Sequence, residues 1–457
     1  MTAYEATVAQ RRPFGFMSAQ GRFRRSQRGT ILLLLLIGVF SMTQVRIIGK
    51  IGISEFFMVL ASPFVFFQNI QVFKRDKSMR FFVLIILWTM GALLADKVNG
   101  IDFAMSARGL AAPIVLFGAS VCLYVLLRKN IYNFRWLLVG IAISSVVSTF
   151  VFQRGVAGDL AADGNMAAAV ENVVGYKLFW TGMANVWLSL PIAGWYLSVP
   201  LLYSLGALFF VSIFCLLTGG RSSFLVALVS AFLIFFGKKK IRSMQFLKKH
   251  FIVLIFMLGC VGLFAKGVYK FAVTHGYLGE AEMQKYETQT RKANSVVGML
   301  VGGRMEAFVG LYAAIHRPIL GYGSWAVDNY GHCLDFASKY GDERDVARIE
   351  FEMKKGGMII PGHSHIVVYW LWHGIFALWF WLYIGCLVAG TLFRRMSTVP
   401  WFFGYFAVTI PAWIWDYFFS PMGLRVNEAA LFAMCLLIRK IASDKRSFGY
   451  SQLESVQ

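Results

Sequence analysis

The sequence predicts an all-α polytopic membrane protein of about twelve transmembrane helices, with a large helical loop facing water between helices nine and ten. Three observations carry this. Hydrophobic residues fill 58% of the 457 positions and charged ones only 15%, more apolar surface than an ordinary soluble globule can bury. Apolar runs of about 20 residues, the length that crosses a hydrocarbon core, recur from Ile31 to Lys440. The basic residues, which give a formal charge of +22, lie in short clusters between those runs. Such clusters mark cytoplasmic loops; no single basic face is available for nucleic acid.

Residues 1–28 form a basic tail, with Arg11, Arg12, Arg22, Arg24, Arg25 and Arg28 against Glu5 alone. No small-residue cleavage site follows, so the run from Ile31 is expected to be a retained first helix and the tail cytoplasmic. Residues 29–269 hold helices one to nine, at about Gly29–Ile47, Ile53–Phe73, Phe81–Ala95, Ala107–Leu127, Trp136–Phe152, Phe179–Tyr196, Leu201–Thr218, Arg221–Gly237 and Phe251–Tyr269. Residues 366–440 hold the last three, at Ile366–Gly390, Phe402–Phe419 and Leu424–Ile438, and 441–457 form a second cytoplasmic tail. The clusters Lys74-Arg75-Asp76-Lys77, Arg128-Lys129, Lys238-Lys239-Lys240-Ile241-Arg242, Arg394-Arg395 and Arg439-Lys440 each follow an even number of crossings. That places both termini inside.

From Lys270 to His365 the chain carries eleven basic and eleven acidic residues. This balance, with amphipathic stretches at Gly279–Ala293, Arg304–Ile315 and Asp342–Lys355, predicts a folded helical cap over the outer membrane face. A loop of this length in a compact architecture is usually functional.

Chemistry is expected where the cap meets the next helix, at Gly362-His363-Ser364-His365. Near neutral pH an imidazole can accept a proton from a hydroxyl, although a histidine here could equally cap the helix. The pair is two apart and lacks added carboxylate ligands, so a metal is not expected. His373, inside helix ten, reads as a packed polar residue. Arg221 and Arg304 each follow a glycine pair, Gly219-Gly220 and Gly302-Gly303. Glycine admits close backbone approach, a helix start offers free amides, and arginine adds a forked cation, so two such corners can hold a diphosphate. Glycine pairs also end helices, and arginines at membrane borders also reach headgroups. Tyr322, Trp325 and Tyr330 could stack on sugar rings or anchor the interface. Cys122, Cys215, Cys260, Cys386 and Cys435 lie in apolar runs, without disulfide or zinc spacing.

Gly302-Gly303-Arg304, then Arg317-Pro318-Ile319-Leu320-Gly321-Tyr322-Gly323, then His363-Ser364-His365 with Trp370 and Gly374, resembles the signature region of the bacterial O-antigen ligase and O-antigen polymerase family. The likeness covers about Thr218 to Gly390; elsewhere it is one of helix number and hydropathy. It implies metal-independent, cofactor-free glycosyl transfer at the periplasmic face of the bacterial inner membrane. The donor would be an undecaprenyl-diphosphate-linked glycan and the acceptor a glycan or a lipid core. On this resemblance Arg221 and Arg304 bind the diphosphate and His363 takes the place of the family's loop-end, catalytic histidine. Tyr322, by its ring, and His365, beside His363, are the further residues expected to contact substrate. Ser364 departs from the asparagine common in the family, and His365 is additional, so either histidine can take the role. The alternative is a flippase for lipid-linked glycans, for which Glu55 and Asp416 are the ionisable candidates.

Overall fold

The computed structural model describes residues 17–41, 43–46, 50–150, 199–217, 221–240, 267, 270–271, 273–277, 283, 286, 296–340, 343–354, 358–395, 400–419 and 425–454. Among them the chain is helical apart from short turns and one small hairpin. Helices six (Phe179–Tyr196) and nine (Phe251–Tyr269) and the amphipathic stretch Gly279–Ala293 lie wholly or largely outside the described residues.

Helix α1 covers Met17–Val39, beginning inside the expected basic tail and ending before the expected Ile47. Arginine, glutamine and alanine are good helix formers, which extends the start. The end is set by a β-branched stretch: β1 (Gln44–Arg46) pairs antiparallel with β2 (Lys50–Gly52), Val45 opposite Ile51. Next come α2 (Ile53–Gln68) and α3 (Ile70–Arg75), separated at Asn69 where a single helix was expected. Asn69 turns its side-chain amide back onto the carbonyl of Val65 at 2.8 Å, the local competition that interrupts helices. Helices α4 (Met79–Val98) and α5 (Phe103–Lys129) follow. Asp102 starts α5 by accepting the amides of Ala104 and Met105 at 2.9 and 3.1 Å.

Further along are α6 (Phe134–Phe150), α7 (Leu201–Leu217) and α8 (Arg221–Lys240). The cap contributes α9 (Val296–His316), α10 (His332–Tyr340) and α11 (Glu343–Lys354). The last helices are α12 (His365–Gly390), α13 (Phe403–Phe419) and α14 (Arg425–Glu454). The expected second tail is helical as far as Glu454, because Arg439 to Glu454 continues without a proline.

Three of these helices are long and apolar enough to cross a membrane: α4, α5, and α12 with its continuation to Phe393. This is a helical membrane protein. On α2, Phe57, Phe64 and Phe67 are 63%, 74% and 70% exposed. They share one helix face, a surface suited to lipid rather than water.

The bundle is centred on α4, α5, α12 and α14, with α4 on α12 and α5 on both α14 and α2. Trp88 of α4 stacks on Phe380 of α12 at 5.0 Å, and Phe432 of α14 meets Phe81 and Trp381 edge-on. Where lipid removes the hydrophobic drive between helices, small residues allow close packing. Helix α1 crosses α6 at Gly38 and Gly140, where a β-carbon would lie 2.5 Å from the Leu137 carbonyl or 2.3 Å from that of Leu35. The cap has its own core of Val309, Ala313, Tyr322, Phe336, Ile349 and Ile360, joined to the bundle through Leu371 of α12.

Candidate functional site

Helix α12 is broken at Gly374, where φ is 65° and ψ is −152°. A β-carbon there would lie 1.9 Å from the carbonyl oxygen of Ile319, so the position requires glycine. The break releases the carbonyls of Leu371 and Trp372 and the amide of Ile375, and one turn of the cap takes up all three. The Tyr322 amide donates to Leu371 at 2.8 Å, the Gly323 amide to Trp372 at 2.9 Å, and the Ile375 amide to Ile319 at 2.9 Å. Pro318 also accepts the Trp370 indole N–H at 3.0 Å. Unpaired backbone groups at membrane depth cost several kcal/mol each; residues 318–323 thus replace a missing piece of helix. The Pro-x-x-Gly-x-Gly segment and Gly374, far apart in sequence, are two halves of one device.

Asp96 of α4 anchors the far end of that turn. It is 3% exposed and accepts the Ser324 amide at 2.6 Å, the Ser324 hydroxyl at 2.9 Å and the Ser106 hydroxyl at 2.7 Å. The Ser324 Oγ is also 3.1 Å from Nε2 of His373, whose Nδ1 accepts the Trp88 indole N–H at 2.8 Å. An indole nitrogen only donates, so the His373 proton sits on Nε2 and points at Ser324, whose own proton points at Asp96. This direction is opposite to that of an activated serine, where the imidazole must accept. His373, fully buried, ties α4, α12 and the cap turn together.

At the mouth of α12 the two histidines have different surroundings. Ser364 caps the helix, accepting the Val367 amide at 3.3 Å and donating to the Tyr417 carbonyl of α13 at 2.9 Å. His363 stays half-exposed, and its Nδ1 lies 3.0 Å from Oε2 of Glu306 on α9, within ion-pair reach but off the line of a hydrogen bond. The contact follows from how α9 docks: Gly310, one turn on, brings the helix so close that a β-carbon would meet the Pro361 carbonyl at 2.8 Å. His365 points inward, 0% exposed, against Trp381 and 3.4 Å from Glu428 of α14. Nearby, Arg425 lies 3.8 Å from Glu55 of α2. The inner histidine therefore adjoins a buried charged cluster, and the outer one faces the cap.

On the cap, Arg317 donates to Asn99, which follows α4, at 2.8 Å and lies over the rings of Tyr322 and Tyr330, 5.2 and 5.1 Å from their centres. Tyr322 is 6% exposed and its hydroxyl meets His332 Nε2 at 2.7 Å. Burial raises the Tyr322 pKa, against the lowering effect of Arg317, and burial likewise lowers that of His332. Tyr330 and Trp325 keep open surface; Trp325, with φ of 57°, packs on Trp372 at 5.2 Å.

No family model matches the chain, and no curated protein matches it.

The placement of each expected residue follows from these contacts. His363 lies at the junction of cap and bundle, beside Glu306. Arg304 precedes Glu306 by two residues on α9. The free-amide reading of Gly302-Gly303-Arg304 is corrected, because α9 begins at Val296 and those residues lie within it. The apolar run Val296 to Val301 continues the helix toward its start. Arg221 does open a helix, α8, which packs on α13, itself against α12. Gly219, Gly220 and the side chains of Arg221 and Arg304 lie outside the described residues. Tyr322 presents little ring surface and His365 none.

Sequence reasoning passed over Glu306, Asp96, Ser324 and Glu428. Asp96 and Glu428 carried a usable signal, being acids inside apolar helices. Glu306 carried none, since its partner lies 57 positions away in sequence.

Proposed function

We propose that the protein is a membrane glycosyltransferase that moves a glycan from an undecaprenyl-diphosphate carrier to an acceptor hydroxyl at the periplasmic face of the bacterial inner membrane. The reading includes twelve crossings with both termini cytoplasmic and residues 270–365 as a periplasmic cap. The observation that carries it is the approach of His363 to Glu306, two residues after Arg304, at the junction of cap and membrane helix. A carboxylate beside Nδ1 favours the tautomer with its proton on that nitrogen once the two align, which leaves the Nε2 lone pair available. Catalytic hydrogen bonds often tighten only when substrate is bound.

In this mechanism Nε2 of His363 takes the proton of the acceptor hydroxyl as its oxygen attacks the anomeric carbon. The bond from that carbon to the diphosphate oxygen breaks, and the diphosphate leaves with the electron pair. Diphosphate is a good leaving group, so positive charge is needed rather than a strong acid. Arg221 and Arg304 are the residues proposed to supply it.

The test is reconstitution of the full chain in liposomes with an undecaprenyl-diphosphate-linked oligosaccharide. A ladder of products identifies a polymerase, and one addition onto a lipid core identifies a ligase. Movement of labelled donor across the bilayer without transfer would establish the flippase reading instead. Topology is tested with introduced cysteines: an impermeant reagent applied to intact cells should label the 270–365 segment and spare Lys238–Lys249.

A further inference from the structure

The turn after α3 and the later part of α14 meet although Lys77 and Arg439 are 362 positions apart. Between them lies a cavity of about 810 Å³. Its walls carry six cations, Lys74, Arg75, Lys77, Arg80, Arg439 and Lys440, against two acids, Asp76 and Asp444. Both acids are already engaged. Asp76 accepts the Arg128 Nε–H at 2.6 Å and the Tyr124 hydroxyl at 3.0 Å, and Asp444 accepts Lys440 at 2.7 Å. Arg128 is not among the lining residues, so Asp76 is held mainly from behind the wall, with the lining Arg75 at a longer 3.9 Å, and six cations against two acids leave the cavity a net positive excess.

The cations are also organised. Arg439 donates to the Tyr383 hydroxyl of α12 at 2.8 Å and to the carbonyl of Lys77. That carbonyl is presented by a left-handed residue, with φ of 54° at Lys77. One guanidinium thus joins three elements, and the Lys74–Arg80 wall is fixed against α14 before any ligand arrives. A solvated basic loop has no such bracing.

Arg80 also begins an exposed line on α4. Val83, Ile86 and Met90 are 41%, 41% and 60% exposed, and steps of three and four residues keep them on one helix face with Arg80. The rim of the cationic cavity therefore opens onto an apolar strip running along a candidate membrane span.

We propose that this cavity is a binding site for the headgroup phosphate of an anionic phospholipid, with the acyl chains lying along Val83, Ile86 and Met90. The cationic walls select against zwitterionic headgroups, whose ammonium they repel. The strip selects a lipid over free phosphate. The site lies on the side that the basic clusters assign to the cytoplasm, and nothing in it depends on the glycosyl-transfer reading.

The test uses the full chain in phosphatidylcholine nanodiscs doped with a few per cent of phosphatidylglycerol, read by native mass spectrometry and thermal unfolding. Retained phosphatidylglycerol and a higher Tm are expected for the natural chain. Lys74→Gln combined with Arg80→Gln should weaken retention roughly thirtyfold and leave the Tm in pure phosphatidylcholine unchanged. Lys97→Gln, at the other end of α4, removes charge outside the cavity and should leave retention as it was. Equal retention of phosphatidylcholine, or an equal loss in Lys97→Gln, would overturn the site. A Tm rise of the same size with inorganic phosphate alone would assign it to a free anion and sink the lipid proposal.

Discussion

The Glu306 carboxylate and the His363 imidazole approach to 3.0 Å across the junction of α9 and α12, one from the cap and one from the mouth of a membrane helix. If this pair serves proton transfer, His363→Ala lowers turnover by about 10²–10⁴ with donor binding retained. Glu306→Gln should lower turnover less, and Glu306→Asp should restore part of it. An exposed ion pair of purely structural role is worth about 0–1 kcal/mol and would leave turnover unchanged in both Glu306 variants. His365→Gln is expected to spare turnover and lower the Tm, because that ring is packed on Trp381.

Arg221→Ala and Arg304→Ala should each abolish most transfer while leaving protein levels intact. Loss of one charge-assisted hydrogen bond is worth about 1.5–3 kcal/mol, roughly tenfold to over a hundredfold in affinity or rate. Transfer kinetics against donor concentration check this, and near-normal activity in both variants would remove the diphosphate assignment.

Gly374→Ala should destabilise the protein severely. The left-handed backbone alone costs a non-glycine residue about 1–3 kcal/mol, and the added carbon would meet the Ile319 carbonyl at 1.9 Å. The expected outcome is a large fall in yield and Tm in detergent. A variant as stable as the natural chain would show that α12 is not held broken by the cap turn.

Asp96→Asn keeps the shape of the carboxylate but places an amide nitrogen either against the Ser324 amide, at the Oδ1 position, or against both the Ser324 and Ser106 hydroxyls, at the Oδ2 position. Each hydrogen bond to a charged group is worth about 1.5–3 kcal/mol. Thermal unfolding should therefore show a clear loss for Asp96→Asn and a smaller one for Ser106→Ala, which removes one donor only.

The cap should lose stability as pH falls below about 6.5, the ordinary histidine pKa. Burial lowers the His332 pKa in the folded protein, so on acidification the unfolded chain takes up the proton first and the equilibrium shifts toward it. The loss continues until pH drops below the folded value. Protonation also makes donors of both ring nitrogens, so the one facing the Tyr322 hydroxyl can no longer accept from it. Hydrogen exchange of α10 against pH measures this, and His332→Gln should flatten the profile.

Helix positions were legible because apolar length and flanking charge are local properties. Phe81–Ala95 appears as Met79–Val98, Ala107–Leu127 as Phe103–Lys129 and Asp342–Lys355 as Glu343–Lys354. Errors arose where local signals compete: the first helix yields to a β-branched hairpin at Gln44, and α2 breaks at Asn69. His363 and Arg304 stand out by residue type, but neither the Glu306 partner nor the helical setting of Gly302-Gly303 could be read, since both depend on how α9 packs.

The sequence by itself determined that the chain is helical and apolar enough for a membrane, and which short motifs stand at the cap's edges. Tertiary structure alone decided that Pro318–Gly323 repairs the break at Gly374, that His363 faces the cap while His365 is enclosed, and that Lys77 meets Arg439. The physical reason is that hydropathy is summed along the chain. Backbone groups freed by a kink, and charges withdrawn from water, must instead find partners wherever the fold brings them.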